Sequence, residues 1–288
     1  DGVTIYPGHG AGSSCGPEIG DRRSTTIGYE KKHNAFLQFQ NEKEFVEYTT
    51  STATPVPTYY VPMKKVNQKG PPTFGNMPPV PALPAKSFKE AIAQRGTVLV
   101  DTRLMLGFGG GHIKGALNIG AREELSPWGG WMLKFDDSLL LVLETDENLE
   151  KVVRYLWRVG MTEFAGYLVG GMKAWDNAGF ELDDVPQITV HDLKKAGGKV
   201  QILDVRAPDE WKCGHIPGAS HFFVPDVREN VDKFDKAKPL AVYCDSGYRA
   251  SLAASILKQE GFTKVYNVPG SWQAWKKAGY PIEGEISK

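Results

Sequence analysis

A cysteine followed by a short polar loop and an arginine is the strongest chemical signal in the chain. The loop runs from Cys244 to Arg249 in the order Cys-Asp-Ser-Gly-Tyr-Arg, directly after an apolar run. Backbone N–H groups in such a loop can form an anion site, and the helix expected to follow adds the positive end of its dipole. Arg249 adds a permanent cation, and Gly247 allows tight curvature. Because these features favour the thiolate, Cys244 is predicted to be a nucleophile rather than an inert buried cysteine.

Alternating strands and helices are expected to position this loop. In the last third of the chain, apolar runs alternate with helical patterns. The runs at 200–204, 240–244 and 265–268 are typical of strands, and the patterns at 250–258 and 272–277 are typical of helices. This alternation predicts parallel strands joined by helical crossovers. Sites in such folds form beyond the carboxyl ends of the strands, where Asp204 and Cys244 are expected to lie.

The chain repeats itself after about residue 85. Residues 98–103 match 201–206, and the pattern Gly-His-Ile-x-Gly-Ala recurs at 111–116 and 214–219, both at an offset of 103 residues. A period of this length is too long for a solenoid and indicates a duplicated domain. The predicted organisation is a polar segment at 1–69, a Pro-rich linker at 70–84, and two domains at 85–184 and 185–288.

Composition and charge narrow the classes of function. The 34 Lys and Arg residues balance the 34 Asp and Glu residues, which argues against nucleic acid or an anionic membrane as partner. No apolar run reaches the ~20 residues of a membrane helix. Cys15, Cys213 and Cys244 form neither a disulfide framework nor a Cys-x-x-Cys metal knuckle, so a cytoplasmic location is expected. The chain begins at Asp1 without Met or a signal peptide, which predicts a piece of a longer polypeptide.

The second copy resembles the rhodanese domain, a persulfide-forming sulfurtransferase. The motifs that carry the resemblance are Asp204-Val-Arg206, Glu210 with the 214–219 motif, the 244–249 loop, and Pro269-Gly270 followed by Trp275. The resemblance implies two three-layer α/β/α domains, each with a central parallel sheet. It also implies that Cys244 takes sulfane sulfur from a small donor and passes it to a thiol or cyanide, with no cofactor in this chain. Thiosulfate and thiol persulfides both remain open as donors, although Asp245 makes the loop less cationic and favours a persulfide.

By this resemblance, each residue of the site has an expected role. The catalytic residues are Cys244 and Arg249. Substrate contacts are expected from Asp245, Ser246, Gly247, Tyr248 and Arg206. Structural support is expected from Asp204, Glu210 and His215, with bracing of the loop by Arg206 kept open. The four residues between Cys244 and Arg249 favour a single sulfur atom over the phosphate held by the longer loop of related phosphatases.

The first copy has lost the nucleophile. Residues 144–149 read Glu-Thr-Asp-Glu-Asn-Leu, without the Cys, Gly and Arg of the second copy. An acidic loop repels anionic donors and forms no persulfide. This copy is therefore predicted to be an inactive rhodanese-like domain with a structural or docking role.

The segment 1–69 resembles the C-terminal part of a metallo-β-lactamase domain of the glyoxalase II and persulfide dioxygenase type. The resemblance rests on Tyr6-Pro-Gly-His9, on 24–34 and on the helical pattern near 44–48. His9 is expected to bind iron or zinc only together with the rest of such a domain, since these metals need three or four protein ligands. The expected partner is thus the remainder of that domain, and a homo-oligomer is left open. The order of segments resembles bacterial persulfide dioxygenase–rhodanese fusions.

A second class of function remains open. In this interpretation both copies form a non-catalytic docking or redox-sensing module that supports a metal-dependent hydrolase or dioxygenase of the lactamase fold. The anion site around Cys244 favours the enzyme, because a docking surface has no need of one.

Overall fold

The computed structural model describes residues 1–8, 22–51, 55–73 and 75–284. The chain divides into two compact units, Asp1–Val56 and Pro57–Lys288. None of the helices in these described ranges has the length and apolar composition required to cross a bilayer.

The first unit is small, and its described residues form little interior. Strands β1 (Thr4–Ile5) and β2 (Thr25–Thr26) pair antiparallel, and helices α1 (Ile27–His33) and α2 (Glu42–Ser51) follow. The Thr26 hydroxyl accepts a hydrogen bond from the Tyr29 N–H at 3.2 Å and caps α1. Among the residues described in this unit, none is buried. His9, the predicted metal ligand, lies outside the described residues.

The second unit begins before the Pro-rich stretch. Helix α3 (Tyr60–Lys69) belongs to it, and the Thr58 hydroxyl donates a hydrogen bond to the carbonyl of Gly130 at 3.1 Å. The Tyr59 ring packs where a side chain at position 130 would otherwise lie. Residues 57–69 therefore lie with the second unit, whereas the sequence analysis assigns them to the N-terminal segment.

The first copy is built on a five-stranded parallel sheet. Its strands are β3 (Ala82–Leu83), β4 (Thr97–Asp101), β5 (Leu117–Asn118), β6 (Ser138–Val142) and β7 (Phe164–Leu168), in the spatial order β3-β7-β6-β4-β5. Its helices are α4 (Ala85–Ile92), α5 (Met105–Gly110), α6 (Leu125–Met132), α7 (Leu149–Trp157) and α8 (Gly171–Asn177). Strand β3 lies within the predicted linker, so the end of that linker forms an edge strand of the sheet.

The second copy has a four-stranded parallel sheet. Its strands are β8 (Gln201–Asp204), β9 (Ser220–His221), β10 (Leu240–Tyr243) and β11 (Val265–Asn267), in the spatial order β11-β10-β8-β9. Its helices are α9 (Val190–Ala196), α10 (Pro208–Lys212), α11 (Tyr248–Gln259) and α12 (Ser271–Lys277). The prediction of two α/β domains with parallel sheets is confirmed.

Strand β10 shows how the layers of the second copy form. Side chains alternate between the two faces of a strand, so Leu240 and Val242 point to one face and Ala241 and Tyr243 to the other. The first pair joins an apolar core that continues into the first copy. The second pair packs in a separate core with residues of α9 and α12, including Trp272. Helices therefore cover both faces of the sheet.

Helix α11, which follows the Cys244 loop, is the most enclosed helix of the second copy. Every residue from 250 to 257 is buried. A surface helix keeps one polar face, and a helix without one must be covered on all sides. Here α11 contacts its own strands β10 and β11 and also β5 of the first copy. The two copies therefore share an interior at this helix.

Candidate active site

Cys244 lies immediately after β10 and is held by hydrogen bonds on three atoms. The Gly247 N–H donates to the Cys244 sulfur at 3.1 Å. The Cys244 N–H donates to the Ser271 hydroxyl at 3.1 Å, and the Cys244 carbonyl accepts from the Trp272 N–H at 3.0 Å. Cys244 is 1% exposed. The sulfur therefore has a defined position with an amide donor directed at it, and only small reagents have ready access.

The rest of the loop is fixed by the segment that leads into α12. The Ser246 carbonyl accepts from the Gly270 N–H at 3.1 Å, and the Asp245 carbonyl accepts from the Gln273 N–H at 3.1 Å. The Asp245 carboxylate accepts a further bond from the Gln273 side chain at 2.6 Å. The Ser246 residue is exposed. The loop thus has its carbonyls turned to α12, while Gly247 turns its N–H to the sulfur.

Gly247 is required at its position for two reasons. Its φ of +114° lies in the region that side chains rarely adopt. A Cβ built there would also lie 2.7 Å from the Met105 sulfur of the first copy. Helix α11 begins at the next residue, so its first N–H groups, which have no partner within the helix, belong to the same loop.

Arg249 forms a two-bond ion pair with Glu210 on α10. Its two terminal nitrogens lie 2.5 and 2.8 Å from the two carboxylate oxygens. Burial by itself lowers the pKa of Arg249, but the Glu210 bonds raise it above the ordinary value, with the Cys244 and Asp245 charges adding to this. Burial likewise raises the pKa of Glu210, and the Arg249 bonds reverse this and lower it. Both groups are therefore charged, and the cation beside the loop is largely balanced.

Arg206 and Asp204 form a second ion pair beneath the loop. Arg206 is 1% exposed and Asp204 is fully buried, with nitrogen and oxygen 2.6 Å apart. The same Arg206 nitrogen donates to the Gly214 carbonyl at 2.8 Å, and the guanidinium lies 4.5 Å from the Trp272 ring centre. Both residues thus brace the turn after β8. The contact of Arg206 with substrate stays a prediction, and the Arg206 side chain is buried in the structure.

His215 and Tyr248 have structural partners. His215 stacks on Trp211 with ring centres 3.4 Å apart, and the His215 backbone N–H donates to the Glu283 carbonyl at 2.8 Å. The Tyr248 hydroxyl donates to the carbonyl of Gly120, in the first copy, at 2.9 Å. Burial raises the pKa of Tyr248, so it remains a neutral donor. Its hydroxyl therefore faces the other copy, and the predicted contact of Tyr248 with substrate stays a prediction.

The structure adds three residues to the site that the sequence analysis did not select. Ser271 holds the Cys244 N–H, and Met105 and Gly120 contact the loop from the first copy. Ser271 has φ +43° and occupies the place of Gly171, which has φ +57°. A serine in the second copy where the first copy has glycine is visible in the sequence and could have pointed to Ser271. Met105 and Gly120 have no such signal, because their contacts depend on how the copies pack.

A metal centre of the lactamase type does not fit the described residues. Iron and zinc sites need several His, Cys, Asp or Glu side chains at one place. Within ranges 1–8, 22–51, 55–73 and 75–284, no group of three or more such residues is placed to hold an ion.

Comparison with known proteins identifies the family. The rhodanese-like domain family matches residues 84–178 and 189–278, so the chain belongs to that family. The uncharacterized protein YqhL of Bacillus subtilis is 31% identical over 88 residues, which cover 31% of this chain and 70% of that protein. The "Putative sulfur carrier protein YrkF" of the same organism is 30% identical over 109 residues, which cover 37% of this chain and 57% of that protein.

One solved structure extends over more of the chain. A metallo-β-lactamase from Staphylococcus aureus is 29% identical, covers 58% of this chain with 45% of its own length, and has a TM-score of 0.44. The match to the rhodanese-like family includes both copies and the whole Cys244 loop.

Proposed function

We propose that the protein is a sulfurtransferase that carries sulfane sulfur on Cys244. The observation that carries the proposal is the Gly247 N–H, which lies 3.1 Å from the Cys244 sulfur at the start of a buried helix. An amide donor and a helix N-terminus both stabilise a thiolate and the persulfide anion formed from it. The sulfur-carrier description of a relative supports the same chemistry.

The reaction consists of two displacements with no net oxidation. The Cys244 thiolate attacks the outer sulfur of the donor, the donor S–S bond breaks, and the leaving group departs as a thiolate or sulfite with the bonding electrons. The new Cys244 persulfide is then attacked at its outer sulfur by a thiolate or cyanide. That step releases the product and restores the Cys244 thiolate.

We further propose that the preferred donor is a thiol persulfide, whose reacting group carries one negative charge where thiosulfate carries two. Glu210 balances the Arg249 charge, and Asp245 places a carboxylate in the loop. A loop with so little net positive charge binds the thiosulfate dianion weakly compared with a singly charged persulfide.

The first unit gives the context of this activity. Its residues include exposed apolar side chains, with Tyr6 79%, Val3 62% and Leu37 54% exposed. A polar segment whose described residues are all at least partly exposed does not make a stable domain alone. We propose that it packs against the remainder of a metallo-β-lactamase-like domain, which would hold the iron or zinc. The parent protein would then be a cytoplasmic persulfide dioxygenase–rhodanese fusion.

Turnover with cyanide tests the sulfurtransferase directly. Thiocyanate formation is measured with glutathione persulfide or thiosulfate as donor, for the wild type, Cys244→Ser and Cys213→Ser. We expect turnover in the wild type and in Cys213→Ser, and a loss of about 10³-fold or more in Cys244→Ser. Cys213 is the matched control because it is an exposed thiol of the same copy. No turnover with either donor would favour the docking or redox-sensing alternative.

A further inference from the structure

The inactive copy contacts the Cys244 loop at two points. The Met105 sulfur lies against Gly247, where a Cβ would come within 2.7 Å of it. The Gly120 carbonyl accepts the Tyr248 hydroxyl at 2.9 Å. Gly247 and Tyr248 are consecutive residues, and Gly247 also donates to the Cys244 sulfur at 3.1 Å. Contacts from the first copy therefore fall on the part of the loop that determines where the sulfur's amide donor points.

Met105 is itself held in place. The Asn267 side-chain N–H donates to its sulfur at 3.6 Å, and a second Asn267 bond goes to Gln187 at 2.9 Å. Asn267 is fully buried at the end of β11, beside the strand that carries Cys244. A thioether with one polar partner and one close backbone contact has little freedom to move. Met105 thus has a defined position against the loop.

A buried polar network ties the same region of the first copy to α11. The Ser251 hydroxyl donates to the Asn118 side-chain oxygen at 2.6 Å, and the Asn118 N–H donates to the Ser255 hydroxyl at 3.0 Å. The Asn118 side-chain N–H groups donate to the Asp101 and Arg103 carbonyls at 3.1 and 2.9 Å. Because these groups are buried, each bond is costly to break. The network fixes the chain just before Met105 relative to the helix that follows the loop.

We propose that Met105 and the Gly120–Tyr248 hydrogen bond are positioning elements of the Cys244 site. The inactive copy holds Gly247 and the first turn of α11 in the conformation that directs an amide at the sulfur. The residues act through Gly247 and Tyr248 rather than on the donor. This inference rests on the sulfurtransferase function proposed above.

The test uses variants of the full chain with graded effects. Met105→Ala removes the contact with Gly247, Met105→Leu keeps a side chain of similar volume, and Tyr248→Phe removes only the hydroxyl. The matched control is Gln259→Leu, because the Gln259 side chain also donates to a first-copy carbonyl, that of Gly115, at 2.8 Å. Gln259 is at the other end of α11, away from Cys244.

If these residues position the loop, kcat should fall only in the variants that lose a contact with Gly247 or Tyr248. We expect Met105→Ala to lower kcat about tenfold and Tyr248→Phe severalfold with KM nearly unchanged, because small misplacements of reacting groups reduce the rate strongly. Met105→Leu should restore most of the activity, and Gln259→Leu should match the wild type. Equal kcat in all four variants, or equal losses in Gln259→Leu and Met105→Ala, would overturn the proposal.

Amide hydrogen exchange separates this inference from the function on which it rests. Exchange of the 244–249 backbone is measured without any donor, so it reports loop order independently of sulfur transfer. We expect faster exchange in Met105→Ala than in the wild type and no change in Gln259→Leu. If the wild type transfers no sulfur but this difference appears, the sulfurtransferase proposal fails while positioning stands. Unchanged exchange in Met105→Ala would overturn positioning.

Discussion

The two rhodanese copies share one frame, which consists of a buried Asp–Arg pair, a glycine carbonyl that accepts from the arginine, and a stacked histidine. They differ in the loop that the frame supports. Arg103 and Arg206 each pair with an aspartate two residues earlier, with the same 2.6 Å distance. Each also donates to a glycine carbonyl eight residues on, at 2.7 and 2.8 Å. In both copies a histidine stacks on an aromatic ring four residues earlier, with ring centres 3.8 and 3.4 Å apart.

The loops after β6 and β10 show where the copies diverge. In the second copy the Ser246 carbonyl accepts the Gly270 N–H. In the first copy the Asp146 carboxylate accepts the equivalent Gly170 N–H at 3.0 Å, and Glu144 occupies the place of Cys244. The frame is thus retained in the copy that lacks the cysteine, which indicates that the frame serves folding.

The helices after these loops differ as well. Helix α7 has an exposed Arg154–Glu150 pair, with side chains 65% and 61% exposed. Helix α11 is buried from 250 to 257. The Cys244 loop is therefore followed by a helix enclosed between the copies, and the 144–149 loop by a helix with a solvated face. An enclosed helix holds its first turn, and with it the loop, more rigidly.

The largest expected effect tests whether the two frames are equivalent. Asp101→Asn and Asp204→Asn each leave a buried arginine without its carboxylate, which typically costs about 3–5 kcal/mol in the free energy of unfolding. We expect similar losses from both substitutions in urea titrations followed by tryptophan fluorescence. A loss confined to one of the two would show that the frames do not contribute equally.

The loop itself is tested by Gly247→Ala. The positive φ and the Met105 contact both oppose a side chain, so we expect sulfur transfer to fall about 100-fold. Gly218→Ala is the matched control, because Gly218 has φ +74° and a Cβ there meets no atom within 4 Å. It should lose some stability and keep its activity. Comparable activity losses in both variants would mean that backbone strain in general, rather than the position of Gly247 in the loop, causes the loss.

The smallest expected effect is the contribution of His112, in the first copy, to the pH dependence of the free energy of unfolding. Burial lowers the pKa of His112, against opposing contributions from the Phe108 carbonyl, Asp183 and Asp101. The unfolded chain takes up this proton from about pH 6.5 downward while the folded chain resists it. The free energy of unfolding should therefore be highest above that pH and decline as the pH falls below it. In His112→Asn the decline in urea titrations from pH 7.5 to 5.5 should be shallower, and an unchanged slope would contradict the account.

Much of the frame was predictable from local sequence. The 103-residue repeat, the strand patterns and the Cys-x-x-Gly-x-Arg loop predicted the duplicated parallel α/β fold and the place of Cys244. These features depend on side-chain alternation and on loop chemistry within one copy. The membership of 57–69 in the second unit was not predictable, because it depends on Thr58 and Tyr59 meeting Gly130.

The partners of the loop residues were also beyond local sequence. Tyr248 was expected to face substrate, yet its hydroxyl lies on Gly120, 128 residues earlier. Arg249 was expected to be a catalytic residue, and its partner Glu210 comes from α10. Such contacts are set by packing between elements distant in the chain, for which no spacing rule exists.

Locating the transferred sulfur tests directly whether Cys244 is its carrier. After a short pulse of glutathione persulfide, the intact mass and the peptide masses are recorded for the wild type and for Cys244→Ser. We expect a gain of one sulfur atom in the wild type, found on the peptide with Cys244 and removed by cyanide, and no gain in the variant. Sulfur distributed over Cys213 and Cys15, or an equal gain in Cys244→Ser, would contradict it.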